Sequence, residues 1–200
     1  EYSGRKVLIK MKVRQRIIDV HAHVIPGVDD GSRTMEESVE MLKRAADQGI
    51  VGVIATPHYS RRHVLKGLND SAKLLQQEIR KTYPKFRIFP GQETFYHDEL
   101  AQRLNEGKAY TMADSQYVLV EFMPSVSYEI LFQGIRKLVS NGYTPILAHM
   151  ERYGCLRKKG TSELLDIGCK LQMNYDSIQG HWFSPAVSYT HLTLPTTPYV

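Results

Sequence analysis

Six short apolar runs recur along this chain at intervals of roughly thirty residues, with helix-patterned stretches between them. The runs are Ile17-Ile-Asp-Val, Val51 to Thr56, Phe86-Arg-Ile-Phe, Tyr117 to Phe122, Thr144 to Ala148 and Lys170 to Asn174. Thr34-Met-Glu-Glu opens the first helix with a T-x-x-E capping box, and Gly49 closes it. Inside it, Val39, Leu42, Ala45 and Ala46 keep helical spacing. Asn69 to Tyr83 predicts a second helix with Leu74, Leu75 and Ile79 on one face, ended by Pro84. Further helices are predicted near Asp98 to Asn105, over Tyr128 to Ser140 before Asn141-Gly142, and over Ser162 to Ile167. Strands alternating with helices predict right-handed parallel βαβ units, hence the α/β class. Six units in this length suggest a β/α barrel or a large open sheet.

The 200 residues suit one domain, and no apolar run approaches the roughly 18 needed to span a membrane. Without a secretory h-region, the expected location is cytoplasmic. The net charge of +5 is no nucleic-acid footprint. Its excess sits in residues 1–16, where Arg5, Lys6, Lys10, Lys12, Arg14 and Arg16 face one acid, Glu1. That stretch reads as a basic leader outside the fold, and the remainder is neutral. Cys155 and Cys169 make no disulfide framework and read as reduced, packed thiols.

The chemistry gathers where the strands end. The first run leads into His21 and His23, the second into Thr56-Pro-His58, and the third into Gly91-Gln-Glu93. The fourth carries Glu121 at its end, and the fifth leads into His149. Carboxyl ends of parallel strands surround one pocket, so five strands deliver imidazoles or carboxylates into the same space. Burying that set without a partner would cost several kcal/mol, which favours metal binding. His-x-His on a strand puts both rings on one face, within reach of one ion. Four histidines with Asp30, Glu93 and Glu121 exceed what one tetrahedral ion uses, so two or three bridged ions are expected. Imidazole and carboxylate without thiolate suit manganese, iron or zinc.

These residues resemble the polymerase and histidinol phosphatase (PHP) superfamily, and within it the bacterial tyrosine-protein phosphatases of the CpsB/CapC and YwqE type. The resemblance rests on IDVHAHVIPGVDDG, ATPHY, FPGQETFY, SQYVLVEF, TPILAHMERY and KLQMNYDS. It implies a distorted (β/α)7 TIM-like barrel, the PHP fold. It also implies metal ligands at His21, His23, Asp30, His58, Glu93, Glu121 and His149, with Glu93 bridging, and a phosphate-contacting Arg152. The implied cofactor is Mn²⁺ or another divalent transition metal, three ions in all. The implied substrate is phosphotyrosine on a bacterial tyrosine kinase that regulates capsule or exopolysaccharide synthesis. Such ions make water nucleophilic near neutral pH, so no cysteine nucleophile is needed. Arg61 and Arg62 follow His58 and are candidates for the substrate rim; Asp29 is read as shaping its loop.

The chain departs from the family at its end. No terminal D-x-H strand follows, so the barrel is expected to lack its last strand and helix. Residues 17–186 then form an incomplete PHP phosphatase domain, and 187–200 read as an unrelated, spurious tail. Two other readings stay open: a phosphatase for a small ester such as histidinol phosphate, and an inactive fragment or non-catalytic kinase-binding regulator.

Overall fold

A computed structural model describes residues 16–60, 67–157 and 160–174, with the main chain of 191–192. Its strands are β1 (Ile17–Ala22), β2 (Ile50–Ala55), β3 (His58–Tyr59), β4 (Arg87–Pro90), β5 (Glu93–Phe95), β6 (Tyr117–Glu121), β7 (Thr144–Leu147), β8 (Lys170–Leu171), β9 (Met173–Asn174) and β10 (His191–Leu192). Its helices are α1 (Met35–Asp47), α2 (Leu68–Arg80), α3 (Leu100–Asn105), α4 (Tyr128–Ser140) and α5 (Thr161–Asp166). The predicted elements are all present, with ends displaced by one to three residues. Residues 1–15 of the expected basic leader, and residues 175–190 and 193–200, lie outside the described residues; β10 pairs antiparallel with β9.

The parallel strands fall into two ladders, β1-β2-β4 and β3-β5-β6-β7-β8. Their registers show that the two are one sheet. Ala55 stands opposite Pro90 and His58 opposite Glu93, so β3 and β5 continue β2 and β4 in step. The break falls at Thr56-Pro57 and Gly91-Gln92, where proline has no N–H to give the ladder. Two main-chain bonds span it: Thr56 N–H to Ala22 O (2.9 Å) and Glu93 N–H to Pro57 O (3.1 Å). The six runs therefore lie side by side in sequence order, as parallel βαβ units require.

The two faces of the sheet are apolar in different ways. Val53, Val118, Val120 and Leu147 are buried on the helical side, in a core with Leu42, Leu75, Ile79, Leu131, Ile135 and Leu164. Their strand neighbours Val20, Ile54, Leu119 and Ile146 gather separately with Met112 and Ala148, as a period of two dictates. Helix α2 corrects one expectation. Leu68, Ala72, Leu75 and Ile79 form its buried face, while Leu74 is 55% exposed. In α1, Thr34 caps the Glu37 N–H as the sequence indicates, and Gly49 follows with φ +96°.

Candidate metal centre

The D-V-H-A-H segment reaches the site through an irregularity in β1. Asp19 faces Val53 and Ala22 faces Ala55, so three steps on β1 match two on β2. Such a bulge reverses the alternation of side chains and re-aims them. Val20 can thus join the inner apolar cluster while His21 and His23 turn into the site. Their Nε2 atoms lie 3.2 Å apart.

Glu93, 1% exposed, is the hub of the cluster. Its Oε2 lies 3.1 Å from His21 Nε2, 3.2 Å from His23 Nε2 and 3.2 Å from His58 Nδ1. Its Oε1 lies 2.8 Å from His149 Nε2. Glu121 closes the far side, 3.4 Å from both His58 Nδ1 and His149 Nε2. Asp30 stands outermost, 81% exposed and 3.5 Å from His58 Nε2. Six of the seven predicted ligands thus meet around one carboxylate. Asp30 touches only the outer nitrogen of His58 among them, and one imidazole gives one lone pair to one ion.

Asp29 is more than a loop former. Its Oδ2 takes His23 Nδ1 at 2.7 Å and the His58 N–H at 3.0 Å, while Oδ1 takes the Gly31 N–H at 3.0 Å. It turns His23 so that Nε2 faces Glu93, as outer carboxylates turn metal-ligating histidines. Gly31 is required beside it, because a Cβ there would lie 2.2 Å from the His23 carbonyl oxygen. A further orienting group is Gln172, whose Oε1 lies 3.1 Å from His21 Nδ1 and accepts the His149 N–H at 3.0 Å. In the sequence it is the middle one of three polar residues, Lys170, Gln172 and Asn174, that alternate with Leu171 and Met173.

Arg152 sits on a 3-10 turn directly after His149, its N–H bonded to His149 O at 3.0 Å. Its side chain is exposed, and its charge acts on the His149 ring. Arg61 and Arg62 lie outside the described residues. Both cysteines are free, and burial pushes the Cys169 thiol up to about 12, as expected of a packed thiol.

The charges within the cluster balance one another. Burial opposes ionisation of Glu93, yet the surrounding imidazoles, His21 foremost, hold it well below the usual carboxylate range. Glu121 is likewise lowered: burial resists, and its bonds to His149 and His58 prevail. Burial favours neutral His23, but Asp29 and Glu93 outweigh it and raise the ring to about 10. His58 is raised chiefly by Glu121; His149 is raised by Glu121 and Glu93 against burial. The raised imidazoles thus offset the buried carboxylates, as cations would. The spacing agrees, since ligands about 2.1 Å from an ion lie about 3.0 Å apart in an octahedron and 3.4 Å in a tetrahedron. Among the described residues, three sets keep their ligand atoms within 4.8 Å of one another: His21-His23-Glu93, His58-Glu93-Glu121 and His23-Asp30-His58.

The family model for capsular polysaccharide synthesis proteins CpsB/CapC matches residues 17–191. The tyrosine-protein phosphatase CpsB of Streptococcus agalactiae serotype V is 27% identical over 168 residues, covering 81% of this chain and 69% of the relative. CpsB of Streptococcus pneumoniae is 33% identical over 168 residues, 79% of this chain and 67% of the relative. A solved structure from the work on YwqE of Bacillus subtilis and CpsB of Streptococcus pneumoniae, described as metal-dependent tyrosine phosphatases, matches with a TM-score of 0.70. It is 31% identical, and the match covers 78% of this chain and 66% of the solved one. The chain therefore spans about two thirds of the length of these relatives.

Proposed function

Since the chain belongs to the CpsB/CapC family of capsular polysaccharide synthesis, we propose that it serves as a metal-dependent protein-tyrosine phosphatase, with phosphotyrosine on a bacterial tyrosine kinase as its substrate. The observation that carries this reading is Glu93, one buried carboxylate whose two oxygens meet four imidazoles. The donors are nitrogen and oxygen without thiolate, which fits Mn²⁺ or a similar divalent ion. His21, His23, His58, Glu93, Glu121 and His149 would hold the ions, with Asp30 on the outer side. When bound, such ions neutralise phosphate charge and supply a nucleophile near neutral pH.

The protein's own groups do the rest. Glu93 and Glu121 space the imidazoles, and Asp29 fixes the ring of His23. Arg152, on the turn after His149, would take a non-bridging phosphate oxygen, where a guanidinium binds two oxygens at once. A tyrosine leaving group has a pKa of about 10 and needs little proton assistance. We assign the cluster to the carboxyl-end mouth of a PHP barrel.

The site is graded from a closed floor to an open rim, which supports a protein substrate over a small ester. His21 and Glu93 are sealed, His23 and Glu121 are partly open, and His58 and Asp30 reach solvent. A phosphotyrosyl side chain can reach such a centre from a protein surface. The test compares Mn²⁺-dependent hydrolysis of a phosphotyrosyl peptide with that of histidinol phosphate. Preference for the peptide is expected; preference for histidinol phosphate would move the assignment to a small-ester phosphatase.

A further inference from the structure

The run from Lys170 to Asn174 is broken at one residue, Gln172, and that residue is 1% exposed. Three of its hydrogen bonds hold the chain around His149. Its N–H donates to Leu147 O (2.9 Å), and its carbonyl oxygen accepts the Met150 N–H (2.8 Å). Its side-chain oxygen accepts the His149 N–H between them (3.0 Å). His149 needs this hold, because its φ of +36° and ψ of +55° lie in the left-handed region that is strained for a residue with a β-carbon.

The same oxygen determines the state of a second ring. A main-chain N–H can only donate, so the amide atom facing His149 N must be the oxygen rather than the nitrogen. His21 Nδ1, 3.1 Å from that oxygen, must therefore carry a proton. The neutral ring is then left with its lone pair on Nε2, the atom that faces Glu93 Oε2 and His23 Nε2.

We propose that Gln172 is a positioning residue of the centre, one amide oxygen that sets the tautomer of His21 and pins the strained main chain of His149. It thereby ties β1 to the turn after β7 and presents the Nε2 atoms of His21 and His149 to one carboxylate. The affinity and tautomer arms of the test rest on the metal reading; the exchange arm does not.

Three proteins decide it: wild type, Gln172→Met, which keeps the volume and loses the acceptor, and Gln172→Glu, which keeps an acceptor oxygen. Zn²⁺ titration measures affinity, and hydrogen exchange of the His149 amide in the metal-free protein measures the clamp. Nitrogen-15 NMR of the Zn²⁺-loaded protein reads the His21 tautomer. Gln172→Met is expected to weaken Zn²⁺ binding about 10- to 100-fold and to speed His149 exchange by roughly tenfold. Gln172→Glu is expected to restore both, and wild-type His21 to carry its proton on Nδ1. Unchanged affinity and exchange in Gln172→Met, or a proton on His21 Nε2, would overturn the proposal. If wild type takes up no Zn²⁺, the phosphatase reading fails, and His149 exchange alone decides the role of Gln172. If Gln172→Met does not fold, a wild-type His149 amide exchanging like an open loop would overturn it.

Discussion

Glu93 keeps its charge in a nearly sealed position because protonated rings surround it, and this makes the centre an exchanger of protons for metal. His23 is raised to about 10, so at pH 7 the metal-free site holds a proton on a ring that must give up a nitrogen to ligate; His58 and His149 are raised as well. Metal uptake at pH 7 should release protons, and affinity should climb between pH 6.5 and 10. Calorimetry in buffers of differing ionisation enthalpy checks this; a signal independent of buffer contradicts it. The metal-free protein should behave oppositely. A ring whose folded pKa is raised stabilises fully below its unfolded value of about 6.5 and loses that contribution as pH rises through the folded value. Thermal melts without metal should fall from pH 6.5 toward 10 on account of His23. For Arg152→Ala, kcat on a phosphotyrosyl peptide should drop about 10²- to 10³-fold with metal content unchanged.

Elements matter here through their interruptions. The bulge in β1, the breaks at Thr56-Pro57 and Gly91-Gln92, and the break at Gln172 all lie beside the centre, where regular pairing gives way to side-chain placement. The elements themselves were legible in the sequence, since apolar period and caps report on burial and chain entry. The interruptions were less so, because they arise from pairing with strands distant in the chain. The same limit explains α2: Leu74 and Leu75 look alike in sequence, and only the helix orientation separates them. Leu75→Ala should cost about 2–5 kcal/mol, whereas Leu74→Ala should stay within about 0.5 kcal/mol. Denaturant unfolding of the pair checks this, and equal losses would contradict the assigned face. Gly31→Ala should displace the Asp29 loop and weaken metal binding, since the new Cβ meets the His23 carbonyl.

At the scale of the whole molecule, the candidate ligands come from β1, the loop after it, β3, β5, β6 and the turn after β7, so bound ions would fasten strands across the sheet. Divalent metal at 100 times its dissociation constant should stabilise the fold by about 2.7 kcal/mol, seen as a rise in Tm that chelation reverses. The candidate ligands at strand ends could be gathered from the sequence because the carboxyl ends of parallel strands share one side of the sheet. The groups that orient them, Asp29 and Gln172, carry no such signal, and an acceptor aimed at an imidazole looks in sequence like any polar residue. The most direct test pairs metal analysis with hydrolysis of a phosphotyrosyl peptide in wild type and Glu93→Gln. Wild type should bind divalent metal and hydrolyse the peptide in proportion to it, while Glu93→Gln loses both. Full activity in a metal-stripped wild type, or in Glu93→Gln, would contradict a centre organised on that carboxylate.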